Sequence, residues 1–120
     1  MTDSIIFKVL EGPDWERALN GAPVKAPIDE VDGYVHFSTR QQVQATLDKW
    51  FAGKQAVVLI AFDLRDFGDD LKWEPARGGD LFPHVYADVG AAKAKRVWEL
   101  ACDETGVPQA PDEALNMDFA

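Results

Sequence analysis

Ala56-Val57-Val58-Leu59-Ile60-Ala61-Phe62-Asp63 is a continuous apolar run, closed by one acidic residue, and it decides the fold. The run is too short for a typical buried helix, and its β-branched residues favour an extended chain. No polar residue interrupts it before Asp63, so both faces of the strand should be covered by other parts of the protein. We therefore predict a strand over residues 56–63 at the centre of a sheet.

Several other segments have the composition of strands. They are rich in β-branched or aromatic residues, and Gly, Pro or acidic residues bound them. The last of them is ambiguous, because Val97-Trp98 favours a strand while the Ala, Lys, Glu and Leu around it also suit a helix. The predicted strands cover residues 5–10, 34–38, 71–74, 82–86 and, with a helix as the alternative, 94–101.

A short helix is predicted directly after the first strand. It opens at Pro13, which suits the first helical turn, and Trp15, Ala18 and Leu19 are spaced to form one buried face. The residues that follow, 21–32, contain two prolines and read as an ordered loop.

A longer helix is predicted after the second strand. Thr39 and Gln42 have the spacing of a capping box, and Gly53 suits the position just past the C-terminal end. Between them, apolar residues repeat at helical spacing and define the face that should enter the core. These residues are Val43, Leu47, Trp50 and Phe51.

The length of 120 residues predicts one domain with a real core. We expect residues 1–102 to form this α+β domain. The acidic segment 103–120 should form an arm that lies over its surface or is partly disordered.

Net charge, cysteine content and the absence of targeting patterns exclude several classes of function. The formal net charge of −9 repels phosphate backbones and anionic lipids, which argues against general nucleic-acid binding and against membrane binding. One cysteine allows no internal disulfide. The chain shows neither a secretory signal pattern nor an apolar run of the roughly 20 residues that span a bilayer. A cytoplasmic protein is expected.

Both histidines of the chain lie in two segments that mix aromatic side chains with groups able to hydrogen-bond, carry charge or titrate. The first is Asp32-Gly33-Tyr34-Val35-His36-Phe37-Ser38-Thr39, and the second is Trp73-Glu74-Pro75-Ala76-Arg77-Gly78-Gly79-Asp80-Leu81-Phe82-Pro83-His84-Val85-Tyr86. In an alternating strand, Tyr34, His36 and Ser38 share one face, away from the two apolar residues between them. This segregation favours a cleft-facing His36, and a histidine hydrogen-bonded within the core is the alternative.

In their order and spacing, the two motifs resemble the small bacterial family called domain of unknown function 952, over about residues 5–101. That family is grouped by fold with the ADP-ribosyltransferases. The resemblance implies an α+β fold in which small mixed sheets, with one long and one short helix, surround a central cleft that binds NAD. It also implies that His36 contacts the ribose or nicotinamide of NAD, and that Glu74 stands where the transferases carry a glutamate.

Glu74 is the candidate for the chemistry itself, with His36 beside it. Transfer from NAD breaks a glycosidic bond through an oxocarbenium-like state, which a nearby carboxylate stabilises. A Glu74 that pairs with Arg77 to anchor the turn explains the residue equally well. Arg77, Gly78 and Gly79 offer a cation and unhindered backbone N–H groups to a phosphate, pyrophosphate or carboxylate, although two glycines also suit a plain tight turn.

The remaining candidates are ligand contacts elsewhere in the two motifs. His84 would face the same ligand, with a proton carrier or a packing residue as the alternatives. Tyr86 is a further ligand contact, and Trp73 is either a stacking platform or a core residue. Ser38 and Thr39 are also candidates, with helix capping as their alternative role. The two histidines form neither an i, i+4 pair nor a His-x-His, so no metal site is predicted.

Two functions fit these residues. The first is an enzyme that uses NAD or a related nucleotide as substrate, by ADP-ribosyl transfer or glycohydrolysis. The second is a binding module that captures a small anionic metabolite or nucleotide without turning it over. A partner-binding accessory protein is a third class, which would need an exposed apolar patch. The sequence predicts no oligomeric state.

Overall fold

The computed structural model describes residues 4–118 and, within them, all side chains except that of Arg77. The fold is α+β, with two small sheets and few helices. The strands are β1 (Ile5–Glu11), β2 (Val35–His36), β3 (Val57–Asp63), β4 (Leu71–Pro75), β5 (Leu81–Val85) and β6 (Arg96–Glu99). The helices are α1 (Gly12–Leu19), α2 (Pro27–Asp32), α3 (Val43–Trp50) and α4 (Asp112–Leu115).

β3 is the central strand of the first sheet, which has the order β1-β3-β6. It pairs along its whole length with β1, from Ile5 opposite Asp63 to Glu11 opposite Val57. Every residue of β3 is buried, which confirms the central, doubly covered strand predicted from the apolar run. β6 pairs with its other edge, so the strand rather than the helix forms near residue 97.

Two separate cores lie on the two faces of this sheet, because side chains alternate along its strands. Even-numbered residues such as Ile6 and Ile60 enter the first core, which also contains residues of α1 and of the second sheet. Odd-numbered residues such as Phe7 and Leu59 enter the second core, which also contains residues of α3 and α4. Full burial of each such side chain stabilises the fold by roughly 1.5–3 kcal/mol.

The second sheet has the order β2-β5-β4, and all strand pairs in both sheets are antiparallel. The resemblance implied mixed sheets, and that expectation was wrong, because both sheets are purely antiparallel. Only five residues, 76–80, connect β4 to β5, and a connection this short allows an antiparallel pair but no parallel crossover. The odd-numbered Val35 and Val85 point into the first core, so the even-numbered residues occupy the opposite face of the sheet.

β2 is shorter than the predicted strand over residues 34–38. After Phe37 the chain leaves the second sheet, and Ser38 bridges to the first. The Ser38 amide donates to the Phe7 carbonyl at 2.8 Å, and the Phe7 amide donates to the Ser38 carbonyl at 2.7 Å. The alternation that placed Ser38 beside His36 therefore ends before Ser38.

Helix α2 replaces the second half of the loop predicted over residues 21–32, and residues 21–26 remain a loop. Pro27 stands at its start, and Asp29 Oδ2 accepts a hydrogen bond from the Ala26 amide at 2.7 Å. Gly33 ends the helix in the left-handed region, with φ of 85°. Pro at the first turn, an acid two residues later and Gly just past the end are ordinary helix signals, so the loop prediction was wrong over residues 27–32.

α3 begins at Val43, four residues after the predicted cap at Thr39. The Gln42 half of the capping box is present, since Gln42 Oε1 accepts from the Thr39 amide at 3.1 Å. The helix ends at Trp50, which is 55% exposed and so is not the core residue we predicted. Leu19, the last residue of α1, is likewise exposed rather than buried.

The acidic C-terminal segment packs against the second core. Ala114 of α4 is fully buried there, with Leu115 and Met117 beside it. Arg40 donates to the carbonyls of Leu115 and Met117, at 2.6 and 2.9 Å. Within residues 4–118, none of the helices has the length and apolar character needed to cross a membrane.

Candidate functional site

The polar and aromatic residues of both motifs meet on the face of the second sheet that points away from the first core. β2 and β5 pair so that His36 lies directly opposite His84. Tyr34 precedes His36 by two residues and Tyr86 follows His84 by two, so all four share this face. Glu74 of β4 contacts both His84 and Tyr86. We call these five residues, Tyr34, His36, Glu74, His84 and Tyr86, the site cluster.

The four rings of the site cluster pack closely on one another. Tyr34 lies in the middle, with ring centroids 4.4 Å from His84, 4.7 Å from His36 and 5.0 Å from Tyr86. The two histidine rings are 5.1 Å apart. His84 is 3% exposed beneath the others, whereas Tyr86 is 45% exposed. The cluster thus presents a tyrosine surface over a buried imidazole.

Glu74 is held by two donors on the adjacent strand. The Tyr86 hydroxyl donates to Glu74 Oε1 at 2.7 Å, and His84 Nδ1 lies 2.8 Å from the same oxygen. The bond from Tyr86, followed by that from His84, holds the pKa of Glu74 below its usual value, so the carboxylate is ionised at neutral pH. The same carboxylate raises the pKa of Tyr86 to about 12, which keeps the phenol protonated as a donor.

His36 lies between two carboxylates of α2. Its Nδ1 is 2.6 Å from Asp29 Oδ1, and its Nε2 is 3.0 Å from Asp32 Oδ2. The His36 amide also donates to Asp29 Oδ1, at 3.0 Å. Asp29 is fully buried, while the side chains of His36 and Asp32 are about one third exposed. One carboxylate therefore holds the ring from inside and the other meets it at the surface.

Lys8 is the partner of Asp29 in the interior. Its Nζ lies 2.7 Å from Asp29 Oδ2 and donates to the His36 carbonyl at 2.8 Å. Burial lowers the pKa of Lys8, and Asp29 opposes that effect. Burial also acts to raise the pKa of Asp29, but the hydrogen bond from His36 and the charge of Lys8 outweigh it and leave the pKa below its usual value.

An open groove of about 330 Å³ borders the site cluster at Tyr34 and Tyr86. Lys25, Glu30 and Asp88 supply charges around it. Lys25 is paired with Glu30 at 2.5 Å. This volume lies at the lower end of the range for small-molecule sites.

Two of the predicted ligand contacts lie away from the cluster. Ser38 is 5% exposed, and its hydroxyl is 2.9 Å from the Thr46 hydroxyl on α3. Thr39 lies four residues before α3, and its carbonyl accepts from the amides of Gln42 and Val43. Neither contact is the side-chain helix cap that we weighed as the alternative role, since α3 starts after Gln42 without a side-chain cap.

The remaining predicted contacts belong to the β4–β5 hairpin. Trp73 is 45% exposed on β4. Gly78 and Gly79 form the hairpin turn, with φ of 83° and 87°, and the Gly79 amide already donates to the Ala76 carbonyl at 3.0 Å. The side chain of Arg77 lies outside the described part of the chain, so its predicted pairing and anion contact stay predictions.

Four residues that contribute to this face, Lys8, Asp29, Asp32 and Tyr34, were absent from the predicted site. A lone lysine in the apolar stretch Ile5-Ile6-Phe7-Lys8-Val9-Leu10 signals a buried partner, since a core charge must be paired. The helix signals around Pro27 and Gly33 would have placed Asp29 in a first turn. In residues 4–118 no three His, Cys, Asp or Glu side chains are arranged to hold a metal ion.

Comparison with known proteins agrees with this architecture. The family model described as "Protein of unknown function (DUF952)" matches residues 9–97. The crystal structure of protein CC0527 from Caulobacter crescentus is similar, with 37% identity, a TM-score of 0.87, and coverage of 92% of this chain and 97% of that one. The solution NMR structure of CC0527 gives a TM-score of 0.79, at 37% identity and with coverage of 88% and 92%. None of the curated proteins matches the chain. The match over residues 9–97 shows that this chain belongs to the DUF952 family.

Proposed function

We propose that this protein binds NAD or a related nucleotide against the site cluster and cleaves the bond between its ribose and its base. The observation that supports this most is the position of Glu74, an ionised carboxylate held by Tyr86 and His84 within a partly exposed aromatic surface. The reaction is the one implied by the resemblance to ADP-ribosyltransferases.

Glu74 would act on the positive charge that develops as the glycosidic bond breaks. The bond between the ribose C1′ and the base nitrogen breaks, and its electron pair leaves with the base. The resulting cation at C1′ is stabilised by a nearby carboxylate. A water molecule or an acceptor hydroxyl then forms the new bond to C1′ and releases its proton to solvent. The lowered pKa of Glu74 keeps the carboxylate ionised throughout this sequence at neutral pH.

The aromatic surface suits the base of such a substrate. Tyr86 is 45% exposed beside Glu74, and a positively charged nicotinamide ring is attracted to a tyrosine face. The bordering groove has room for a ring and a sugar. Glu30 and Asp88 in that groove would repel a pyrophosphate, so we place only the base and the ribose against this surface.

The alternative is binding without turnover. Its support is the number of internal contacts at the site: Glu74 Oε1 already has two hydrogen-bond partners, and both nitrogens of His36 face carboxylates. Groups held in this way build a stable surface for a nucleotide or a small anionic metabolite, with no need for a reacting carboxylate. The anionic group of such a ligand would have to lie away from Glu30 and Asp88.

The substitution Glu74→Gln separates the two functions. Gln keeps the shape and an acceptor oxygen but carries no charge, so we expect nicotinamide release to fall about 100-fold or more while NAD binding changes little. Calorimetry measures binding, and chromatography measures nicotinamide. Glu99→Gln is the matched control, because Glu99 is an exposed strand glutamate in the other sheet.

Two outcomes would decide between the enzyme and the binding module. Wild-type protein that neither binds NAD nor releases nicotinamide would refute the proposal. Binding without release by the wild-type protein, unchanged in Glu74→Gln, would identify a binding module instead.

A further inference from the structure

We propose that Lys8 is a positioning residue of the site: its buried ammonium group is the counter-ion of Asp29, so that Asp29 orients the His36 ring without drawing a second proton onto it. The catalytic relevance of His36 rests on the proposed function, but the division of roles among these charges can be measured without any nucleotide.

Lys8 lies where an apolar residue would be expected. It stands between Ile6 and Leu10 on the face of β1 that enters the first core, and both neighbours are fully buried. Lys8 itself is 3% exposed. A charged group in such a place is retained only with a partner and satisfied hydrogen bonds. Asp29 and the His36 carbonyl supply both, so Lys8 is directed to the β2 residue that carries the imidazole.

Asp29 uses its two oxygens for different purposes. Oδ2 accepts from Lys8 Nζ and from the Ala26 amide, both at 2.7 Å. Oδ1 accepts from the His36 amide at 3.0 Å and faces His36 Nδ1 at 2.6 Å. An ionised carboxylate can only accept, so Nδ1 carries the proton of that contact. The ring orientation and the proton at Nδ1 therefore both depend on a charged Asp29.

The charge balance follows from burial. A fully buried carboxylate without a counter-ion favours a positive charge beside it, and the nearest group able to become positively charged is then His36, whose Nδ1 lies 2.6 Å from Oδ1. Lys8 already neutralises Asp29, and the other ring nitrogen of His36, Nε2, has Asp32 as its nearest carboxylate, at 3.0 Å. The charged and titratable groups that face His36 are Asp29 and Asp32 of α2, Lys8 of β1, Tyr34 ahead of β2, and His84 of β5, with Glu74 of β4 behind His84.

A purely structural role for Lys8 makes a different prediction. An ion pair that only fastens α2 to the first sheet would change stability when removed, and it would leave the protonation of His36 as before. The deciding readout is therefore the ratio of doubly to singly protonated His36 at one fixed pH near neutrality. Nitrogen-15 NMR of labelled histidine measures this ratio separately for His36 and for His84.

The first variant is Lys8→Met, which keeps the length of the side chain and removes its charge. We expect the ratio for His36 to rise fivefold or more, because His36 then becomes the counter-ion of Asp29. A smaller change would overturn the proposal. Lys54→Met is the matched control: it removes a lysine from an exposed pair with Glu11, and the ratio for His36 should stay the same.

A second variant keeps the test decisive if Lys8→Met does not fold. The double variant Lys8→Met/Asp29→Asn leaves no unpaired charge in the core. If Lys8 compensates Asp29, the two losses cancel at His36, and the ratio stays within fivefold of wild type. If Lys8 has no influence on His36, only the loss of the Asp29 charge affects the ring. The ratio of doubly to singly protonated His36 would then fall more than fivefold below that of the wild type, which would contradict the proposal.

Discussion

Glu74 owes its low pKa to neighbours on β5 rather than to a neighbouring cation. Tyr86 contributes most and His84 next, each through a hydrogen bond to Oε1. The pair is reciprocal, since the ionised Glu74 is also what raises the pKa of Tyr86 to about 12. At this site a phenol and an imidazole lower the pKa of the carboxylate, as an arginine does at many other carboxylate sites.

Removal of the Tyr86 hydroxyl should therefore change the titration of Glu74. In Tyr86→Phe the ring stays and the donor is lost, so the pKa of Glu74 should rise towards its usual value. Carbon-13 NMR of the side-chain carboxyl follows this titration directly. Tyr34→Phe is the control, because Tyr34 touches the same cluster through its ring and has no described hydrogen bond to Glu74. An unchanged pKa in Tyr86→Phe would show that the hydroxyl does not bond to Glu74 in solution.

The two motifs predicted residues that lie close together in the fold. His36, Glu74, His84 and Tyr86 come together in space, while their roles stay predictions. Lys8 and Asp29 were missed because their partnership joins positions 21 residues apart, which no local pattern encodes. A lysine inside an apolar strand predicts a buried acid, but it does not say which acid.

α2 completes the site around His36 on β2, the strand of the first motif. It carries Asp29 on its buried side and Asp32 at its last turn, and both reach His36. Gly33 then reverses the chain into β2 with φ of 85°. A side chain at that φ is strained, although nothing lies within 4 Å of the added atom.

The turn at Gly33 should therefore matter more than its exposed position suggests. Gly33→Ala should lower the free energy of unfolding by about 1 kcal/mol, through backbone strain alone. Urea denaturation measures this change. Gly90→Ala is the control, because Gly90 has open space around it and φ of −85°, which alanine adopts freely. Equal stability of the two variants would mean that the turn can rearrange without cost.

Element prediction failed at the places where tertiary contacts redirect the chain. Residues 34–38 alternate like one strand, yet Ser38 bonds to Phe7 of the other sheet, so the strand stops at His36. Alternation describes a residue's face only while the same strand continues. The prolines near α2 suggested a loop, although Pro27 stands at the position of a helix where proline is favoured.

In the whole molecule, the site lies on the outer face of the second sheet, because the first core fills the space between the two sheets. The apolar run at residues 56–63 predicted the centre of the first sheet correctly, because a strand covered on both faces has no alternative position. The second sheet depends on the pairing of β2 with β5, which puts His36 opposite His84 although the two residues lie far apart in sequence. That arrangement, and with it the location of the site, required the structure.

Mapping NAD onto the folded protein tests the central claim most directly. Titration of NAD into isotope-labelled protein should move the NMR signals of Tyr34, His36, His84 and Tyr86, since the proposed base position lies against these rings. Signals of the second core, such as those of Phe7 and Leu59, should remain where they are, because the first sheet separates them from the site. Saturable shifts confined to the site cluster are the predicted result. An absence of shifts at millimolar NAD, or shifts located elsewhere on the protein, would contradict the account.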